Sequence, residues 1–286
     1  MEIFKVPKRE AIEGCTKRLI SHEKAEYEEI REILEKEFGR RIGTLKKTLA
    51  ELGIAEDAVI LAPPVLNRTD FGYVSDIDLV FLGNEEQEMS LYEKLQDDFG
   101  IYPFVVRYDP VELEKMREEL PEFYSFLMER RGNIKAVNVA ASPPSEEFLD
   151  RATDLEAKAR TLQSEEEKLA LKKERLTIGE RFVEDVGKQV AVLGYCFSGS
   201  MMNDMDRFSS ISDLDIEMLT KYEDEKNEEK AFKWIHMYLK WKYAEKFGIK
   251  VDVGDTSLKS AKKFASLDPV MRKHFEHRFG VDVINV

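Results

Sequence analysis

Two short stretches of this chain constrain its fold more than anything else in it. Ser75-Asp76-Ile77-Asp78-Leu79 and Ser212-Asp213-Leu214-Asp215-Ile216 alternate acidic and apolar residues in the same order. Alternation with a period of two is the mark of a strand, and it sends both carboxylates of each stretch to one face and the aliphatic side chains to the other. Each stretch also sits in the same series of expected elements: helix, strand, turn, strand, helix, strand, helix, strand. In the first half the helical pattern covers about Lys8 to Leu52, where Ile30, Ile33, Leu34 and Phe38 form one apolar stripe. Gly39 and Gly43 are expected to loosen or divide that helix, and Gly53 to end it. Strands at Ala58–Ala62 and Val74–Leu82, a helix at Glu85–Phe99, a strand at Tyr102–Tyr108, a helix at Val111–Arg131 and a strand at Ile134–Ala140 follow. The second half repeats the order with strands at Val190–Phe197 and Ser212–Leu219, a helix at Glu228–Phe247, a strand at Ile249–Val253, helix over Leu258–Phe279 and a last strand at Val281–Val286.

Val137-Asn138-Val139 and Ile284-Asn285-Val286 match near the ends of the halves, so the chain reads as a diverged tandem duplication. Ala141-Ser142-Pro143-Pro144-Ser145 is the best linker, because two adjacent prolines bar both helix and ladder. The expected organisation is therefore one α/β (α+β) domain over 1–142 and a second over 143–286. Each is a small mixed sheet packed with helices. The two are joined by a long charged helix over Glu146 to about Gln189, whose Glu165-Glu166-Glu167 and Lys172-Lys173 suit a solvated face.

Composition narrows the function. Lys+Arg 44 against Asp+Glu 57 gives a net charge of −13, the wrong sign for a protein that neutralises an extended duplex. Hydrophobic residues at 43% exclude a disordered chain. No apolar run is long enough for a membrane span, and Met1-Glu2-Ile3-Phe4-Lys5 is not a basic leader followed by an apolar segment. Cys15 and Cys196 lie in unrelated contexts and suit a reducing compartment. The expectation is a cytoplasmic protein.

The second half concentrates groups with chemical meaning. Asp213 and Asp215 project together from one strand, and Asp252 stands alone among apolar neighbours in Ile249-Lys250-Val251-Asp252-Val253. If the two strands are neighbours, the three carboxylates converge and repel unless cations lie between them, and hard oxygen donors suit Mg²⁺. Gly199-Ser200 stands where the preceding strand turns, so a phosphate could approach the backbone and take a hydroxyl bond there.

This arrangement, a Gly-Ser pair, a spacer of about a dozen residues, Asp-x-Asp on a strand and a third Asp on a later strand, resembles the nucleotidyltransferase superfamily of DNA polymerase β, the minimal nucleotidyltransferases in particular. The resemblance covers most of residues 180–286 and repeats more weakly over about 45–140. It implies a Mg²⁺-dependent transferase that moves a nucleoside monophosphate from an NTP, ATP being the first candidate, to a hydroxyl acceptor and releases pyrophosphate. By that resemblance Asp213 and Asp215 would ligate both Mg²⁺ ions, Asp252 one of them, and Gly199, Ser200 and Ser212 would hold the nucleotide. The acceptor, an RNA end, a protein hydroxyl or a small molecule, is open. The alternative is a non-catalytic pseudo-nucleotidyltransferase acting as a nucleotide sensor or protein-interaction module, and a homodimer is compatible with either.

The first half departs from the pattern. Counting back from Ser75 puts the Gly-Ser position at Pro64-Val65, and Phe104 falls where the third Asp belongs, with Asp109 on the other face. Asp76 and Asp78 then mark a relic site in a degenerate copy. Elsewhere, His274 and His277 read as surface residues, and Trp234, Tyr238 and Trp241 as the apolar face of a helix. The lysines at 230, 233, 240, 242, 246, 250, 259, 262 and 263 could meet a triphosphate or merely balance glutamates.

Overall fold

The structure, a computed structural model, describes residues 25–62, 77–99, 103–137, 164–206, 208 and 212–286. The chain divides into two compact units, Met1–Ala159 and Arg160–Val286. The linker at 141–145, the helical pattern before residue 25 and that over 146–163 lie outside the described residues. Among the described residues no helix is long and apolar enough to cross a membrane.

In the first unit α1 (Ala25–Glu51) runs unbroken through Gly39 and Gly43, both expected to divide it. Packing outweighs the glycine penalty of about 1 kcal/mol each, because Phe38, Ile42, Leu45 and Leu49 are all buried. Gly53, at φ +66°, then ends the helix as expected. β1 (Val59–Leu61), β2 (Ile77–Leu82), α2 (Glu85–Phe99) and β3 (Pro103–Tyr108) follow. β1 pairs antiparallel with β2, and β2 parallel with β3. The helix expected over Val111–Arg131 is two, α3 (Pro110–Glu119) and α4 (Pro121–Glu129), because Pro121 cannot continue the hydrogen-bond ladder of α3. Asp109 caps α3, its carboxylate accepting from the Val111 and Glu112 amides at 2.8 and 2.9 Å.

The strand expected at Ile134–Ala140 is absent from its described part, where Asn133–Ala136 is a 3-10 turn. Gly132 donates to the Val59 carbonyl at 3.1 Å. Next to it the Asn133 side chain accepts from Leu61 N–H at 2.8 Å and donates to Leu61 C=O at 3.0 Å.

The second unit begins with α5 (Glu165–Gly187), capped by Ser164 and Glu167 in a reciprocal box. The helix therefore starts at Glu165. It is also not a solvated joining rod: Leu171, Ile178, Phe182, Val183 and Val186 are buried in the core of the second sheet. β4 (Ala191–Phe197), the short α6 (Gly199–Asn203), β5 (Leu214–Lys221), α7 (Glu225–Lys233), a π-helical stretch Trp234–Leu239, α8 (Lys240–Phe247) and β6 (Val251–Ser257) follow. The last two helices, α9 (Leu258–Leu267) and α10 (Pro269–Phe279), again break at a proline. β4 is antiparallel to β5 and β5 parallel to β6, so the two sheets share strand order and direction. The strand expected at Val281–Val286 is a turn, since Asp282 accepts from the Ile284 amide, takes the Asn285 side chain and pairs with Arg272.

The fold expectation holds at the level of two small mixed sheets packed with helices. Leu214, Ile216 and Met218 of β5 face the core built by α5 and the α7–α8 helix, with Leu239, Tyr243, Val251 and Val253. The opposite face carries Asp213, Asp215 and Glu217.

Candidate functional site

The registers of the second sheet bring the acidic residues together. Asp215 and Asp252 are directly opposite partners on parallel β5 and β6, which sets their backbones about 4.8 Å apart with side chains on one face. Asp213 lies two residues before Asp215, just ahead of the strand, on the same side. On the other flank of β5 the Ser198 amide donates to the Asp215 carbonyl at 3.1 Å. The chain then turns at Gly199, φ +68°, into α6. A β-carbon at Gly199 would lie 1.7 Å from Asp215 Oδ2. The second residue of β5, the second residue of β6 and the turn after β4 therefore meet at one end of the sheet.

The electrostatics match that geometry. Burial pushes the Asp215 carboxyl up, and the neighbouring Asp213 and Asp252 charges push it further, against a smaller opposing effect of Lys250. Burial also raises Asp252, but the Lys240 ammonium, helped by Lys250 and the Val253 amide, outweighs it and holds that carboxyl below its usual range. Lys240 Nζ is 3.2 Å from Asp252 Oδ1, and Lys250 Nζ is 3.7 Å from Asp213 Oδ2. Of the many lysines in this half, these two serve the acidic face; Lys233 and Lys259 pair with Glu229 and Glu225.

Lys240 reaches Asp252 from a helix that packs on the other face of the sheet. The π-helical stretch immediately before it adds residues per turn, and Lys240 follows His236 by four residues on this helix. His236 is half-buried, its Nε2 has no hydrogen-bond partner, and burial with the Lys240 charge pushes its pKa down to about 4. Phe232 stacks on it, ring centroids 4.3 Å apart. The sequence named Lys240 only as one of nine lysines and did not single out His236 or Phe232, because a regular helix gives no sign of the π-helical register.

The spacer between Gly199-Ser200 and Ser212 is anchored at the residues described. Met201 and Phe208 are buried in the core, and Ser212 is buried ahead of β5. The buried Lys168 of α5 donates to the Met205 and Asp206 carbonyls, both at 2.8 Å. Lys168→Met is expected to lower stability by about 2 kcal/mol, the range for hydrogen bonds from a charged group, and to speed amide exchange around Met205 first. Unchanged exchange there would show that the ammonium does not hold the loop.

In the first sheet the equivalent positions diverge. Asp78 takes the place of Asp215, and its carbonyl accepts from the Ala62 amide at 2.9 Å as that of Asp215 does from Ser198. That ladder makes Pro63-Pro64 the counterpart of Gly199-Ser200, one residue earlier than Pro64-Val65. The register partner of Asp78 is Phe104, as the sequence comparison of the halves expected. Asp76, Pro63, Pro64 and Val65 lie outside the described residues.

Other candidates have plain roles. His274 and His277 are exposed on α10, Tyr238 and Trp241 are buried, and Cys196 is half-buried against the α9–α10 side. Cys15 and His22 lie outside the described residues. Among the described residues, no group of three or more His, Cys, Asp or Glu side chains is placed so that it could hold a metal ion as it stands. No family model, curated protein or solved structure matches the chain.

Proposed function

We propose that the second unit is a Mg²⁺-dependent nucleotidyltransferase that moves a nucleoside monophosphate from an NTP to a hydroxyl acceptor. The observation that carries this reading is the meeting of Asp213, Asp215 and Asp252 at the strand end where Gly199 touches the Asp215 carboxylate. The donor set fits the metal: three carboxylates supply hard oxygens, and their mutual repulsion, relieved here by two ammonium groups, is what a divalent cation would remove.

Asp213 and Asp215 would hold both ions and Asp252 one of them. When bound, the ions lower the pKa of the attacking hydroxyl and stabilise the departing pyrophosphate. The chain's own groups do the rest. Gly199 keeps the backbone low enough for a phosphate to come close, and Ser200, with Ser212 nearby, offers a hydroxyl. Lys240 and Lys250, displaced from the carboxylates, remain beside the triphosphate as counter-charges. The first unit, with Phe104 opposite Asp78, is proposed as a non-catalytic copy.

The test is the melting temperature with Mg²⁺ and each of the four NTPs, wild type beside Asp213→Asn. A ligand that binds only the folded state at 100 times its Kd adds about 2.7 kcal/mol, or about 5–10 °C for a unit of this size. The expected result is a magnesium-dependent rise with one NTP that is absent in the variant. No rise with any NTP would sink the proposal.

A further inference from the structure

We propose that Phe232, backed by His236, is the platform on which the base of the bound nucleoside triphosphate stacks. The inference rests on the nucleotidyltransferase reading and adds the element it lacks, a site for the base. The other aromatic side chains of this helix are taken up by packing: Tyr238, Trp241 and Tyr243 are buried, and Trp234 is partly buried against the core. Phe232 is 54% exposed on the same helix. Single exposed hydrophobic residues are common and need no explanation. Phe232 differs because its ring is held flat, at 26° to the His236 imidazole and 4.3 Å from it. The imidazole beneath is half-buried, with its Nε2 inside, so the stack presents one aromatic face outward.

Its position relative to the carboxylates is set by the helix. Phe232, His236 and Lys240 follow one another at four-residue intervals, and the row ends with the Lys240 ammonium on Asp252. Eight residues at the α-helical rise span about 12 Å, and the π-helical stretch shortens that somewhat, a span still comparable to the reach of a nucleotide from its reacting phosphate to its base. A triphosphate at Asp213, Asp215 and Asp252, with Lys240 beside it, would therefore carry its base along the edge of β6 toward Phe232. Stacking on one face accepts any base and favours the larger purines.

The experiment compares two probes in excess Mg²⁺ by equilibrium binding: the NTP that stabilises the wild type most, and inorganic tripolyphosphate, which has no base. Phe232→Leu is expected to weaken NTP binding about tenfold, within the range for loss of one base–aromatic stack, and to leave tripolyphosphate unchanged. Phe232→Trp should restore NTP affinity. Equal NTP affinity in wild type and Phe232→Leu overturns the platform and leaves the carboxylate site standing. Equal weakening of both probes also overturns it, since Phe232 would then shape the fold or the phosphate site. A wild type that holds tripolyphosphate as tightly as the NTP shows that the base is not held. A wild type that binds neither probe overturns the function itself, and the platform with it.

Discussion

Gly199→Ala is expected to lower the stability of the second unit by about 2–5 kcal/mol and to erase the magnesium-dependent stabilisation by NTP. Two costs add. An L-residue at φ +68° pays about 1–2 kcal/mol of backbone strain. The new methyl would also sit 1.7 Å from Asp215 Oδ2 and 2.6 Å from its Cγ, so the carboxylate or the turn must move, at the roughly 1–3 kcal/mol typical of overpacking. Gly280 supplies the control. It has the same φ of +68°, but a β-carbon there meets nothing within 4 Å. Gly280→Ala should lose only the backbone share, about 1–2 kcal/mol, and keep the response to NTP. Urea midpoints of the two variants separate the terms. Equal losses, with the NTP response kept in both, would mean that Gly199 is needed for its φ alone.

Asp215→Asn is expected to lower nucleotidyl transfer about 10³-fold, the scale of several kcal/mol of transition-state stabilisation, while making the protein more stable at neutral pH. The sign follows from linkage. Burial and the Asp213 and Asp252 charges raise the folded-state pKa of Asp215 above its unfolded value, which is about 3.9. Between those two values the folded state binds more protons, so stability falls as pH rises through the window. Above the folded pKa the full penalty applies; below the unfolded pKa there is none. The neutral amide removes the penalty, so the variant's advantage should be full at pH 7 and vanish by about pH 3. Melting temperatures across pH for both proteins decide the matter. A variant less stable than wild type at pH 7, or an advantage that persists undiminished into acid, would show that repulsion does not govern this carboxylate.

Alternation was enough to find β2 and β5, and it put Leu214 and Ile216 in the core with Asp213 and Asp215 opposite, as the structure has them. Glu85–Phe99 was found to the residue, since its apolar stripe is flanked by Asn84 and Gly100. Periodicity misled where side chains take over backbone bonding. Val281-Asp282-Val283-Ile284 alternates like a strand, yet Asp282 collects the Ile284 amide and the Arg272 guanidinium and closes a turn. Gly39 and Gly43 read as breaks because propensity was visible and the burial of Ile42 and Leu45 was not. The carboxylate set was legible because strand residues two apart must share a face. The neighbours of Asp252 were not. Lys240 lies twelve residues before it in the chain, and its approach depends on a π-helical turn and on the pairing of β5 with β6, both products of tertiary packing.

The carboxamide of Asn133 has a wider consequence. An outer strand leaves a line of unanswered peptide groups that any extended chain can join, the first step in fibre growth and in exchange of strands between copies. On β1 that line is only three residues long, and the amide of one asparagine answers it at Leu61 as another peptide group would, with Gly132 closing Val59. At the β1 margin one side chain and one backbone amide thus stand in for a further strand, which would have offered a new margin in turn. In a crowded solution of this protein, the β1 margin is closed at Val59 and Leu61 to a neighbour's strand.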